Sequence, residues 1–336
     1  MLTRFWRFLS LVSLSAFLPG TLHGVPQSGG DFSVNTQPKK LPNDNILVKG
    51  AWSSSGDFVT PVPEDGGVTK TVYSSKYFGL SYALPADWSE RYSGPPPSDS
   101  GYYVLAQIRS SGTFKRTSRG SILITAQDLF FTPAPVGNAL EMVNYNKTRL
   151  SPDYKVELPP ALVRIADRSF VEFEYSSPIA ELHWRILTTQ IRCHVLQFVF
   201  TSRDTALLEG LTQQMNKMTL PMEAGPISGR GGGEAPVCIK DYAQDQNVVE
   251  KIDPVFTERR FNPVPVRIII DKDGKVKHIH FLSAFPDQAK TITDALQRWR
   301  FRPYLRDGQP LEVETGILFG QSTHRSVSPA AQALSE

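Results

Sequence analysis

The chain has 336 residues, with 36 lysines and arginines against 33 aspartates and glutamates, so its formal net charge is +3. A charge this close to neutral gives no electrostatic basis for nucleic-acid binding, which usually depends on a concentrated basic surface. The apolar fraction of 40% excludes disorder throughout the chain. With two cysteines, Cys193 and Cys238, a disulfide-stapled miniprotein and a four-cysteine metal site are also excluded.

Residues 1–24 have the pattern of a secretory signal peptide. Arg4 and Arg7 supply a positive start, an apolar run follows, and Pro19 with Gly20 breaks it. The run is about half as long as the roughly 20 apolar residues that a membrane-spanning helix needs. We therefore expect an exported protein, periplasmic or associated with the cell envelope, and soluble once the leader is removed. An uncleaved short anchor is the alternative.

The two cysteines raise a question about how the chain is held together. An exported protein meets oxidising conditions, in which Cys193 and Cys238 can pair and tie two parts of the chain to each other. The alternative is two independent thiols. The sequence leaves both states open.

Composition divides the rest of the chain into segments. Residues 25–68 are rich in Ser, Gly, Pro, Asn and Asp, which predicts a flexible lead-in. Residues 222–236 are rich in glycine and predict a linker. This linker separates a first region, 69–221, from a second region, 237–322, and residues 323–336 form a tail.

The first region alternates predicted strands with two predicted helices. Helices are expected near 138–150 and near 204–220, the second with Ser202 or Asp204 as its N-cap. Alternating apolar and polar residues predict strands at 102–108, 121–128, 171–175, 182–190 and 195–201. The last two are expected to form a hairpin that turns at Arg192 and Cys193. The elements predict an α+β domain in which helices pack on an antiparallel sheet.

The first region resembles the PsbP-like fold. The resemblance rests on the opening from Phe78 and Gly79 to Trp88, and on the closing hairpin and helix. Members of that fold are mainly non-enzymatic accessory or assembly factors, so the resemblance implies a role of that kind. A generic α+β domain is the alternative.

The second region shows the predicted order β-hairpin, helix, strand. Asp273 and Gly274 predict a type I′ hairpin turn, and Pro303 ends the helix, because the residue before a proline avoids the α conformation. The strand that enters the hairpin is expected to have one strongly apolar face. The predicted elements span 264–270, 276–282, 286–300 and 311–319.

This pattern resembles the C-terminal domain of the TonB family. The matching pieces are the hairpin of 266–286, the box ALQRWRFRP at 295–303, and the turn and last strand at 307–319. The family's Gln-Pro-x-Tyr-Pro lead is reduced to residues 253–257, which is a departure. The resemblance implies a small ββαβ domain that is not an enzyme and needs no cofactor.

In the TonB family, this domain binds an extended segment of an outer-membrane receptor at a sheet edge. An unpaired strand offers alternating N–H and C=O groups that a partner peptide can complete. The resemblance places this role on Leu311, Glu312, Val313, Glu314, Thr315, Gly316, Ile317, Leu318 and Phe319. Glu312 and Glu314 are expected to discourage self-association of the edge. The tail, or a second copy in a homodimer, would be an alternative occupant.

Five further residues of the pattern are interpreted as structural, namely Asp273, Gly274, Trp299, Phe301 and Pro303. The indole and phenyl rings of such a box usually lock a helix against a sheet. The Asp-Gly pair is interpreted as a turn rather than a calcium loop, because the closing glutamate of such a loop is missing.

Motifs for catalysis or metal binding are not found in the sequence. G-x-S-x-G, H-E-x-x-H, a Walker loop and C-x-x-C do not occur. His278 and His280 alternate on a predicted strand, but without a third ligand they are interpreted as solvated, and no metal is expected. The arginines between 298 and 306 are interpreted as a solvated surface, with anionic lipid or an acidic partner as the alternative.

The sequence therefore predicts an exported, non-enzymatic, two-domain adaptor that pairs with a partner strand, as in outer-membrane transport. One alternative is a self-assembling structural component of the envelope that pairs through 311–319. Another is an enzyme with its site in the first region. The acid–base groups there are Asp87, Glu90, Glu172, Glu174 and His183.

Overall fold

A computed structural model of the chain describes residues 53–57, 59–92, 97–110, 119–221, 235–256 and 263–320. The predicted leader (1–24), most of the predicted linker (222–234) and the predicted tail (323–336) lie outside the described residues. The described part is rich in strands and contains three helices, so the chain is a mixed α+β protein. No helix in that part is long and apolar enough to span a membrane.

The first region combines a small sheet with a large one. One strand, β1 (Ser53–Gly56), precedes the region. The strands that follow are β2 (Gly66–Thr69), β3 (Val72–Ser75), β4 (Leu80–Ala83), β5 (Trp88–Tyr92), β6 (Tyr102–Ser110), β7 (Gly120–Asp128), β8 (Lys155–Ile165), β9 (Arg168–Ser177), β10 (Leu182–Ile191) and β11 (His194–Ser202). The small sheet is β2-β3-β4, and the large one has the order β5-β6-β7-β11-β10-β9-β8. All neighbouring strands of the large sheet are antiparallel, as predicted.

One helix packs on each face of the large sheet. The helices are α1 (Ala139–Thr148) and α2 (Thr205–Met215). The side chain of Asn138 caps α1 and that of Asp204 caps α2, which satisfies backbone N–H groups of each first turn. The small sheet and α2 share one core with the large sheet, and α1 covers the core on the opposite face. The two predicted helices and the hairpin at Arg192 and Cys193 are confirmed.

The second region is built around a five-stranded sheet. Its elements are β12 (Val237–Cys238), β13 (Val248–Glu250), β14 (Val264–Ile270), β15 (Val276–Phe281), α3 (Pro286–Leu296), β16 (Arg300–Phe301), β17 (Tyr304–Arg306), β18 (Gln309–Leu311) and β19 (Val313–Phe319). The sheet order is β1-β15-β14-β19-β12. The predicted order of β-hairpin, helix and strand is confirmed. The helix ends at Leu296 rather than near 300, because Arg300 and Phe301 pair with β13.

Part of the predicted lead-in is regular structure. β1 pairs antiparallel with β15 along its whole length, and β2 begins at Gly66. These residues differ from the prediction of a flexible segment, because the edge of β15 supplies the hydrogen bonds that a Ser-rich sequence cannot supply for itself. A strand that precedes the first region therefore belongs to the sheet of the second.

The turn between β14 and β15 is longer than the predicted two-residue turn. It spans 271–275, and the carboxylate of Asp271 accepts hydrogen bonds from the backbone N–H groups of Asp273 and Lys275. Gly274 has a positive φ of 81°. A Cβ at Gly274 would lie 2.0 Å from the carbonyl oxygen of Phe301, so only glycine fits this close approach.

Both faces of the five-stranded sheet are buried at its centre, where every residue of β14 is buried. On one face, Val266 and Ile268 share an apolar core with Ile292 of α3. The other face carries polar side chains and lies against the first region, with Arg267 at its centre. The sequence predicted the apolar face and not the burial of the opposite one.

Candidate functional site

A disulfide joins the two regions next to the polar face of the second sheet. Cys193 and Cys238 are bonded, with their Cα atoms 5.5 Å apart. Of the two states that the sequence left open, the structure has the paired one. The bond fixes the turn between β10 and β11 to the short strand β12.

Arg267 lies at the centre of a buried cluster of charged and polar side chains. Its guanidinium donates hydrogen bonds to carboxylate oxygens of Asp128 and of Glu314, and to the hydroxyl of Tyr77 at 2.6 Å. Asp128 ends β7 in the first region, whereas Glu314 lies beside Arg267 in the second sheet. Arg267 therefore links a carboxylate of each region through charge-assisted hydrogen bonds.

His194 completes the cluster on the side of the first region. Its Nε2 lies 3.3 Å from a guanidinium nitrogen of Arg267, and its Nδ1 lies 3.3 Å from the hydroxyl of Tyr77. Because a guanidinium only donates, Nε2 accepts, and the proton of a neutral ring is on Nδ1. Burial, together with the nearby positive charge of Arg267, lowers the pKa of His194 well below its usual value. The imidazole is thus a neutral member of the cluster.

Glu314 is held as a carboxylate by two arginines. The hydroxyl of Tyr77 donates to Glu314 at 2.9 Å, and Arg192 contacts its other carboxylate oxygen at 2.9 Å. Burial alone would raise its pKa, but Arg267 and Arg192 hold the pKa of Glu314 at about 2. The expected role of Glu314 in discouraging self-association requires exposure, and its side chain is only 3% exposed. Glu314 instead belongs to the contact between the regions.

The charges within the cluster balance. Arg192 and Arg267 face Asp128 and Glu314, so two positive charges meet two negative ones. Burial raises the pKa of Asp128, and the charge of Arg267 opposes that shift. A buried charge is tolerated when it is paired and hydrogen-bonded, and Arg267, Asp128 and Glu314 meet that condition. The half-buried Arg192 is paired with Glu314.

A small cavity of about 10 Å³ adjoins the cluster, beside Tyr77 and Arg267. This volume holds about one water molecule and no larger ligand. Within the described residues, no three His, Cys, Asp or Glu side chains are placed to hold a metal ion. The geometry of the cluster suits holding two parts of the chain together better than binding a substrate.

The two histidines of β15 are buried, which corrects their interpretation as solvated. His280 lies between Ser54 of β1 and Glu64, with contacts of 3.1 Å to each. His278 has its Nδ1 3.0 Å from the carbonyl oxygen of Asp57. Burial lowers the pKa of His278. Both side chains are covered by residues within 53–57 and 59–65, which the sequence predicted to be flexible.

The last strand, β19, is covered on one side and only partly covered on the other. β14 pairs with it along its whole length, from Val313 to Phe319. β12 runs parallel on the opposite side and pairs with Val313 and Glu314 alone. Leu311 belongs to β18, and Glu312 precedes β19 and binds Lys277 at 2.8 Å.

The remaining outer edge of β19 can be assigned from hydrogen-bond directions. The carbonyl groups of Glu312 and Glu314 accept from Val237 and Ile239, so these carbonyls point outward. Backbone groups of alternate residues point the same way along a strand, so those of Gly316 and Leu318 also point outward. Among the described residues no strand pairs with this part of the edge. Gly316, Ile317 and Leu318 are partly exposed.

The residues interpreted as structural lie close together around the end of α3. Trp299 and Phe301 are each 3% exposed and belong to the core of the second region. The indole N–H of Trp299 donates to the carbonyl of Ile252 at 2.7 Å. Gly274 contacts the backbone of Phe301, whereas Pro303 and Asp273 are exposed.

The acid–base groups considered for an enzyme are spread over the large sheet. Glu172 and Glu174 are brought together by Arg185, at 3.5 and 2.5 Å. Glu90 lies on β5, at the opposite end of the strand order from β8 and β9. His183 lies on β10, and Asp87 lies in the turn before β5. Of these five groups, only Glu172 and Glu174 share a contact, and Arg185 between them neutralises part of their charge.

Sequence reasoning missed the residues that form the cluster between the regions. Arg267 interrupts an otherwise apolar strand. Because arginine is rarely buried unless it is paired with a charge, this was a signal that the position has an oppositely charged partner. For Asp128, Tyr77 and His194, no local pattern gave such a signal. They lie at the ends of strands or in turns, and the tertiary fold brings them together.

Comparisons with known proteins give limited similarity. The chain matches no protein-family model and no curated protein sequence. The solution structure of cyanobacterial PsbP (CyanoP) from Synechocystis sp. PCC 6803 is similar at 16% identity and a TM-score of 0.31, over 46% of this chain and 96% of that one. The crystal structure of LpqN, a Mycobacterium tuberculosis protein involved in cell envelope biogenesis, is similar at 13% identity and a TM-score of 0.29, over 51% of this chain and 92% of that one.

Proposed function

We propose that this chain is an exported, non-enzymatic adaptor that binds an extended segment of a partner protein at the outer edge of β19. The supporting observation is the edge itself: the backbone groups of Gly316 and Leu318 point outward beyond the end of β12. A partner strand added there would form backbone hydrogen bonds in the manner of β-augmentation. Of the site predicted from the sequence, only residues from 315 to 319 would contact such a partner.

The resemblance of the second region to the TonB family suggests the chemical nature of the partner. In that family the bound segment comes from an outer-membrane receptor, so peptides from the N-terminal plugs of such receptors are the first probes to use. The binding edge is short and would hold a partner through backbone hydrogen bonds. A contact of this kind suits transient binding better than permanent assembly.

The proposal can be tested by titrating these peptides into the ¹⁵N-labelled full chain and following the NMR spectrum. The full chain is needed, because β1 and the Arg267 cluster connect the second region to residues before it. We expect the largest shifts at the amides of Gly316 and Leu318. If no peptide shifts the signals of 315–319, the proposed role fails.

A matched pair of variants locates the binding edge. Leu318→Pro removes one outward N–H group, whereas the hydrogen bonds to β14 come from the alternate residues and remain. Leu318→Val changes the same side chain and keeps the N–H. We expect the proline variant to lose peptide binding and the valine variant to retain it.

A further inference from the structure

The first region reaches the proposed binding edge through the loop that follows β7. A Cβ at Gly316 would lie 2.7 Å from the Cβ of Phe130 and 3.0 Å from Cζ of Phe131. The two rings meet edge to face, with centroids 6.3 Å apart. An aromatic pair therefore occupies the space that a side chain at position 316 would need, on the sheet face that lies against the first region.

The loop is held in this position by the charge cluster. The backbone N–H of Phe130 donates to the carboxylate of Asp128 at 2.7 Å. The guanidinium of Arg267 lies 5.1 Å from the centre of the Phe130 ring, a cation–π distance. Because the same Asp128 and Arg267 join the two regions, their contact also sets where the two phenyl rings lie relative to β19.

A strand added beside Gly316 would place one of its side chains against this aromatic pair. Side chains opposite each other on neighbouring strands share a face, with Cβ atoms about 5 Å apart. Glycine has no side chain to cover a neighbour, and aromatic rings commonly fill the space above a glycine in a sheet. Phe130 and Phe131 are both only partly buried, so part of this aromatic surface remains available for contact.

We propose that Phe130 and Phe131 of the first region complete the strand-binding site on β19 and select a partner with an apolar side chain opposite Gly316. The inference rests on the function proposed above and assigns a role in it to the first region. Both rings line the wall beside Gly316, and Phe131 is the one that can be changed without removing the contact of Arg267 with the Phe130 ring. A charged residue at the position opposite Gly316 would lose its hydration against the rings and bind weakly.

The test uses the full chain and two synthetic seven-residue peptides, one alternating valine with threonine and the other alternating aspartate with threonine. Binding of each is measured by NMR titration to the wild type and to Phe131→Ala, Phe131→Leu and Tyr145→Ala. Tyr145 is a matched control, because it is a partly buried aromatic of the same region that lies on α1, away from β19. Thermal melts confirm that every variant is folded at the titration temperature.

We expect the valine peptide to bind and the aspartate peptide to bind much more weakly. Phe131→Ala should weaken binding of the valine peptide about fivefold, the size of a good cross-strand pair, while Phe131→Leu and Tyr145→Ala stay close to the wild type. Equal binding to the wild type and to Phe131→Ala overturns this inference and leaves the proposed function standing. If neither peptide binds the wild type while a receptor-plug peptide shifts the signals of 315–319, the inference fails alone. If none of these peptides binds, the proposed function and the inference fall together.

Discussion

The five-stranded sheet has two buried faces that are stabilised in different ways. One face packs Val266 and Ile268 against α3, as an ordinary apolar core. The other places Arg267 against the first region and depends on paired charges. Apolar contacts tolerate imperfect geometry, whereas a buried charge needs its partner at a defined position. We therefore expect the apolar face to supply most of the stability and the polar face to fix how the two regions meet.

Removing the central charge of the polar face should have the largest effect on the free energy of unfolding. Arg267→Met keeps an apolar side chain of similar length but leaves Asp128 and Glu314 buried without their cation. Breaking a buried ion pair by removing one partner costs about 3–5 kcal/mol. We expect a loss of that size in the free energy of unfolding, measured by urea denaturation.

The neighbouring residue provides the control for the apolar face. Ile268→Val removes one methyl group from the same strand, on the other face, and should cost about 1 kcal/mol. If Arg267→Met costs no more than Ile268→Val, the cluster is not the buried ion network described above.

The disulfide is the second means of holding the polar face in contact. Cys193 and Cys238 are separated by 45 positions in sequence, so their bond removes considerable freedom from the unfolded chain. We expect the double variant Cys193→Ala, Cys238→Ala to lose about 2–4 kcal/mol of unfolding free energy. Urea denaturation of the wild type under oxidising and reducing conditions should give a similar difference. An unchanged midpoint in both experiments would mean that the bond does not constrain the unfolded chain.

The two faces also differ in how well the sequence predicted them. The period-two pattern of β14 and the spacing of apolar residues in α3 depend on local repetition, so the apolar face and the order of elements were predicted correctly. The exact end of α3 was not, because it depends on the pairing of Arg300 with β13. Local repetition thus predicts elements better than it predicts their ends.

The polar face could not be predicted, because its partners are far apart in the chain. Arg267 and Asp128 are separated by 139 positions, and Arg267 and Tyr77 by 190. The position of β1 beside β15 has the same origin, since Ser54 and His280 are separated by 226 positions. The two phenylalanines beside Gly316 likewise come from another region. The candidate binding strand was found from a family resemblance, and the residues that surround it required the tertiary structure.

A smaller effect should appear when the pH is lowered. The folded chain holds His278 and His194 at pKa values below the usual 6.5, so below that pH the unfolded chain binds more protons. Stability is therefore complete above about pH 6.5 and is lost as the pH falls below it. Each histidine contributes at most about 1.4 kcal/mol per pH unit. Asp128 acts in the opposite direction, because burial raises its pKa.

Urea denaturation at pH 7.5, 6.5 and 5.5 measures this slope, and His278→Gln separates the contribution of β15 from that of His194. Asp57, His280 and Glu314 are the charged or titratable groups that influence His278, and glutamine retains a hydrogen bond donor while losing the charge change. We expect the variant to have a shallower slope than the wild type. A wild-type stability that is constant or rises towards pH 5.5 would mean that the histidines accept protons in the folded chain. In that case the polar face would tolerate a change in charge. The two faces would then differ in the residues they contain, and not in how well they tolerate a change.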